Sequence, residues 1–254
     1  MKKKIALIAT LIIIASIIFI CRPVKKVVPR KACGVAATMI NEFSLDPTQK
    51  LVFYFPWKWD QKKLRVYFED IEDQAIKRKV LETANLWYPH TGIKFILASS
   101  SGSSEIRVAF RAKKGYYSLI GSLADSAKYG EYNISTTMWL EDVDSVSSDE
   151  FKRVVLHEFG HAIGLFHELQ SKKSTIVWDS IAVYRYFDSL YHWRHEEVNQ
   201  NIFAPVEIGD ATLFDPKSIM IYAIPENLMK NHHGIPWPSG LSQIDKEKIK
   251  ILYP

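Results

Sequence analysis

Residues 157–168, HEFGHAIGLFHE, constrain this chain more than any other stretch. His157 and His161 are four apart, so on a helix they sit one turn apart on the same face. Glu158 projects beside them, within reach of a water held by a metal. Gly164 follows His161 by three residues, where a glycine lets the chain leave the helix in a left-handed conformation. The turn back carries His167 toward the same point. Three neutral imidazoles leave one tetrahedral position open for water, the mark of a catalytic rather than a structural zinc centre. The competing reading is an amphipathic helix whose histidines pack or face water. HExxH alone recurs by chance, but adding Gly164 and His167 makes the match roughly 700-fold rarer at this composition.

The flanks favour one rigid helix under the ligands. Ser147-Ser148-Asp149-Glu150 reads as a capping box, with Ser147 as N-cap and Glu150 reaching back to it. Val154, Val155 and Phe159 supply apolar surface, and no proline interrupts the run before Gly164.

The full HExxHxxGxxH pattern is the metzincin signature. Metzincins also carry a methionine turn beneath the metal, and Ser218-Ile219-Met220-Ile221-Tyr222 matches it. Glu168 directly after the third histidine, together with Ser-x-Met-x-Tyr, resembles the astacin family of zinc metallopeptidases, bacterial type. Serralysin-type relatives have proline after the third histidine and Gly-rich calcium repeats, which are absent here. Matrix metalloproteinases and adamalysins lack the tyrosine. GYYSLIG at 115–121, HELQS at 167–171 and LSQIDKEKIKILYP at 241–254 extend the resemblance, as do residues 63–110. It covers roughly the last 190 residues, the size of one domain.

The resemblance implies one Zn2+ per chain, held by His157, His161 and His167. It makes Glu158 the general base and then proton shuttle, and Met220 the floor under the metal. Tyr222 becomes a catalytic residue, a further ligand at rest that swings away to stabilise an oxyanion. Glu168 would receive the amino group of a processed mature N-terminus. Two departures stand out. Ile221 occupies a position where the family usually has histidine. The only cysteines, Cys21 and Cys33, lie upstream of the domain, so the disulfides of animal astacins have no counterpart and the core must suffice.

These residue types describe a zinc-dependent endopeptidase that hydrolyses peptide bonds without a covalent enzyme intermediate. Readings from other classes are an inactive zinc-containing protein-binding module, and a secreted effector or toxin acting on another organism's proteins. Glu158 alongside all three ligands favours the enzyme. His192 with His195, and His232 with His233, are candidates for a second metal site, against the plainer reading of exposed polar histidines.

Eight of the 33 Lys and Arg fall in residues 1–31, which hold no acids, so the net +5 of the whole chain becomes −3 for the remainder. The basic pI therefore belongs to the tail, and no nucleic-acid partner is expected. Lys2–Lys4 followed by 16 nearly all-apolar residues read as an export signal. As a helix these span roughly 24 Å, slightly short of a ~30 Å bilayer core. An uncleaved membrane anchor with the domain outside the cytoplasm is expected, with cleaved secretion the alternative. The domain organisation is thus residues 1–21 as signal sequence or anchor, 22–60 as linker or pro-segment, and 61–254 as the peptidase domain. Within the second segment, Cys33-Gly34 resembles a cysteine switch and Phe43-Ser44-Leu45-Asp46 an aspartate switch. Protein or peptide substrates and a monomeric state are expected.

The expected fold is α+β: a mixed sheet with two long helices above, over an irregular lower subdomain, in the plan metzincins share. The upper half is 61–164 and the lower half 165–254. Ile71, Ala75, Ile76, Val80, Ala84 and Trp87 predict an amphipathic helix over 71–88, ended by Pro89. Leu64, Val66 and Phe68, and Ile106, Val108 and Phe110, predict half-buried strands. Ile93–Leu97 and Thr137–Leu140 are further strands. The strand after Gly115, or the one before Leu140, is the expected sheet edge. Tyr116, Tyr117 and Trp139 are candidates for lining the cleft, with core packing the competing role. The C-terminal helix is expected from Ser242 to Tyr253.

Overall fold

The computed structural model describes residues 57–111, 113–125, 135–205 and 213–254. The segments expected to export or mask the domain, including Cys33 and Asp46, lie outside the described residues. No described helix is long and apolar enough to cross a membrane.

Alternation of apolar and polar residues builds β1 (Lys63–Phe68), with Leu64, Val66 and Phe68 turned inward. Helix α1 (Gln74–Ala84) follows. It starts later than the periodicity predicts, because Asp73 accepts from the N–H groups of Ala75 and Ile76 and caps it there. Pro89 does not end the helical path. The chain runs on through a tight turn into Tyr88–Thr91, where Pro89 occupies the first turn that suits it, and Gly92 ends it at φ 65°. Then come β2 (Lys94–Leu97), β3 (Ile106–Ala109), β4 (Tyr116–Ser118) and β5 (Met138–Leu140).

The strands form one sheet in the order β2-β1-β3-β5-β4. Four are parallel; β4 pairs antiparallel with β5, Tyr117 opposite Trp139. Among the described residues the strand after Gly115 is therefore an edge of the sheet, with β2 at the other, and the strand before Leu140 is interior. β3 departs from the half-buried expectation, because every residue in it is buried. Arg107 is accommodated by donating to the carbonyls of Ser104, Glu105, Ala124 and Ser135, so all three nitrogens of the buried guanidinium have acceptors.

Helix α2 (Ser148–Ala162) packs against β4, β5 and α1 and carries His157, Glu158 and His161. Ser147 caps it by accepting from the Glu150 N–H. The Glu150 side chain pairs with Arg153 at 3.7 Å, so the predicted box is realised on one side. α1, α2 and the sheet enclose the first core, in which Trp87, Phe95, Phe110, Phe151 and Phe159 are buried. Trp57 and Trp59, at the end of the stretch read as linker, are buried there too. The Trp59 indole N–H donates to Ala162 O at 2.7 Å, fastening the segment to the end of α2.

Past Gly164 the structure loosens into loops and short helices, as the sequence pattern does. It contains α3 (Ser180–Tyr191), whose bounds the sequence pattern does not give, and α4 (Gln243–Leu252). Leu169, Val183, Val198, Ile202, Ile221, Ile224 and Leu228 form a second core here. α4 returns to the first core through Ile249, Leu252 and Tyr253. The methionine turn sits on the seam: Met220 packs in the first core and Ile221 in the second.

Candidate active site

The site forms where α2 ends. Ile163 caps the helix, Gly164 follows at φ 100°, and the chain reverses. The Leu165 N–H donates to Gly160 O and the Gly164 N–H to His161 O, which closes the helix end. The reversal delivers His167 to the two helical histidines.

The three imidazoles converge. His167 Nε2 lies 3.2 Å from both His157 Nε2 and His161 Nε2. Tetrahedral ligands at ~2.0–2.1 Å from zinc stand about 3.3 Å apart, so the spacing matches the metal. The tautomers agree with it. His157 Nδ1 donates to Ile219 O at 2.8 Å, and His161 Nδ1 to Leu165 O at 2.7 Å. With their protons on Nδ1, both rings turn Nε2 lone pairs inward, as carbonyl-oriented metal ligands do. Lone pairs this close repel one another unless a cation lies between them. Among the described residues this is the one group of three His, Cys, Asp or Glu side chains placed to hold a metal ion.

Burial tunes the same groups. Desolvation pushes His157 down to about 4. It holds His161 and His167 well below the ordinary histidine value, and the neighbouring imidazoles add to the effect. The rings are therefore neutral, the form that binds metal. Glu158 is 1% exposed on the same helix. Tyr222 reaches in from the methionine turn, its hydroxyl 2.9 Å from His167 Nε2. Met220 lies beneath, and a Cβ placed at Gly160 would overlap its sulfur. Glycine at that point of HEFGH is what allows α2 and the methionine turn to meet.

The structure thus gathers His157, His161, His167, Glu158, Met220 and Tyr222. It does not gather the other histidines. His192, His195, His232 and His233 are all exposed, and His195 stacks on Tyr184 with centroids 4.0 Å apart. Tyr117 and Trp139 pack edge to face beside the sheet edge at 4.9 Å, and Tyr116 is buried.

Several supporting residues escaped the sequence reading. Asp245, in the first turn of α4, accepts from Ser218 Oγ at 2.6 Å and from the Ile219 N–H at 2.8 Å. It thereby fixes the carbonyl that orients His157. Its own cap is Ser242, and Ser-x-x-Asp before an apolar run was a visible cap signal. Glu168 accepts from the Asp215 N–H at 2.8 Å and pairs with Lys248 at 2.7 Å. No sequence signal marked Lys248 as its partner.

A model of the Astacin peptidase family matches residues 54–253. Comparison with curated proteins gave no significant match. Among solved structures, one of myroilysin is 33% identical with a TM-score of 0.69, over 78% of this chain and 96% of that one. A crystal structure of myroilysin is 31% identical with a TM-score of 0.59, over 88% and 91%. High choriolytic enzyme 1, a hatching enzyme zinc-protease from the medaka fish Oryzias latipes, shares 16% identity and a TM-score of 0.51, over 78% and 94%, a likeness of fold.

Proposed function

The chain belongs to the astacin family of zinc metallopeptidases, and from that premise we propose that it is an exported endopeptidase whose reaction runs on Glu158 and Tyr222 at a zinc held by His157, His161 and His167. The observation that carries the proposal is the convergence of three neutral Nε2 atoms at tetrahedral spacing beside a buried glutamate.

Zinc held by His157, His161 and His167 would supply Lewis acidity toward a peptide carbonyl and an attacking water. The chain's residues do the rest. Glu158 takes the proton of the attacking water and later hands it to the departing amine. The Tyr222 hydroxyl turns from His167 to donate to the oxyanion that develops on the substrate. Met220 fills the space under the ligands and keeps water out. β4, at the end of the sheet, offers an edge on which an extended substrate adds as a strand through main-chain hydrogen bonds.

Export rests on Lys2–Lys4 and the apolar run after them, with residues 1–21 as the signal or anchor and the following segment as linker or pro-segment. Residues 61–254 are the catalytic unit in this reading, and the packing of Trp57 and Trp59 in its first core supports counting them with it. A denatured protein incubated with the purified chain should yield internal fragments by mass spectrometry. A chelator should stop cleavage and added zinc restore it. Cleavage that persists in chelator, or only terminal trimming, would count against a zinc endopeptidase.

A further inference from the structure

Glu168 follows the third histidine directly and is 2% exposed. Each of its carboxylate oxygens has a partner. Oε1 accepts from the Asp215 N–H at 2.8 Å, and Oε2 accepts from the Lys248 ammonium at 2.7 Å. Lys248 is itself 5% exposed, on α4. Removing either partner would strand a buried charge, so each fixes the other.

This pair is wired to the metal site. The Glu168 N–H donates to Met220 O at 3.0 Å, which ties the third ligand's neighbour to the methionine turn. The Met220 N–H donates to Ser218 Oγ, whose hydroxyl donates to Asp245 at 2.6 Å. Asp245 and Lys248 stand three apart on α4, on one face of the helix. One end of that face holds the turn that carries Tyr222 and orients His157. The other holds the carboxylate beside His167. The ammonium that the family resemblance assigns to a processed N-terminus is therefore present within the chain.

We propose that Lys248 is a positioning residue for the zinc centre: the C-terminal helix supplies an internal ammonium that locks Glu168, so His167 and the methionine turn hold their geometry without a free N-terminus. The proposal rests on the zinc-peptidase reading above. Its consequence is that the point at which the N-terminal segment is cut does not set the turnover of the mature enzyme.

The test uses the chain as its expression host releases it, with the N-terminus identified by mass spectrometry. It reads kcat and KM on a quenched fluorescent peptide, melting temperature, and the rate of zinc release to a chelator. Lys248→Met should speed zinc release and lower kcat more than tenfold each, with KM within twofold. The double variant Lys248→Met with Glu168→Gln leaves no unpaired charge, so it should recover the melting temperature but neither kcat nor zinc retention. Selective acetylation of the α-amino group of the unmodified protein should change kcat less than twofold. Three results would overturn the proposal: wild-type kcat and zinc release in Lys248→Met, full recovery in the double variant, or inactivation by acetylation. If Lys248→Met does not fold, the double variant decides. If the unmodified chain binds zinc but hydrolyses nothing, the peptidase reading fails, and zinc release alone decides the role of Lys248.

Discussion

Replacing Asp245 with alanine removes one carboxylate that three donors share: Ser218 Oγ at 2.6 Å, the Ile219 N–H at 2.8 Å and the Ser242 N–H at 2.9 Å. A hydrogen bond to a charged acceptor contributes ~1.5–3 kcal/mol. Ser242 is only half-buried and can turn to water, but Ser218 and Ile219 are 1% and 0% exposed and cannot. The two buried donors together set a loss of ~3–6 kcal/mol. Removing a buried carboxylate returns part of that by relieving its desolvation, which leaves a net loss of ~3 kcal/mol. At ~2–4 °C per kcal/mol for a domain of this size, the melting temperature should fall by about 6–12 °C. The loss should also reach the metal, because the Ile219 carbonyl freed to move is the acceptor for His157 Nδ1. Losing a partner of this kind typically weakens metal binding ~10–100-fold. Thermal melts with and without zinc, beside competition against a chelator of known affinity, read both effects. A variant that melts within about 2 °C of the parent and holds zinc equally well would refute the idea that α4 supports the methionine turn.

Three further perturbations probe other parts of the site. Gly160→Ala places a methyl against the Met220 sulfur and the Trp87 ring, and should destabilise by ~1–3 kcal/mol in urea denaturation; an unchanged midpoint would show that Met220 yields freely. In the metal-free protein, His157 titrates at about 4 when folded against an ordinary 6.5. The folded state thus disfavours the proton, so this group's contribution, on the order of 3 kcal/mol, is whole above pH 6.5 and lost as the pH falls toward 4. His161 and His167 act in the same direction, and a urea midpoint as high at pH 5 as at pH 8 would contradict this. Tyr222→Phe keeps the ring packing but removes the hydroxyl that lies 2.9 Å from His167, so kcat should drop ~10²–10³-fold with bound zinc unchanged; full activity would remove Tyr222 from the reaction.

What could be read from the chain follows the range of the interactions involved. His157, His161 and His167 were legible because helical spacing and one glycine bring them together within eleven residues. β1 was legible because its alternation faces a single core. β3 alternates too, but Arg107 on its second face is buried under carbonyl acceptors that tertiary structure supplies. α1 was extended too far because Ile71 keeps the helical period although Asp73 caps the helix after it. The bounds of α3 were not legible because its apolar residues do not mark one face: Val183 is buried while Ile181 is 64% exposed. Lys248 and Glu168 are 80 residues apart in sequence. Their pairing depends on where α4 lands, and no local pattern encodes that.

In this reading Glu158 is the base of a zinc peptidase. The most direct measurement is the turnover of Glu158→Gln at equal bound zinc, with the parent protein beside it. Each should bind about one zinc, and the variant should lose at least ~10³-fold in kcat, on the scale expected when a general base is removed. Hydrolysis within tenfold of the parent at full zinc loading would contradict it.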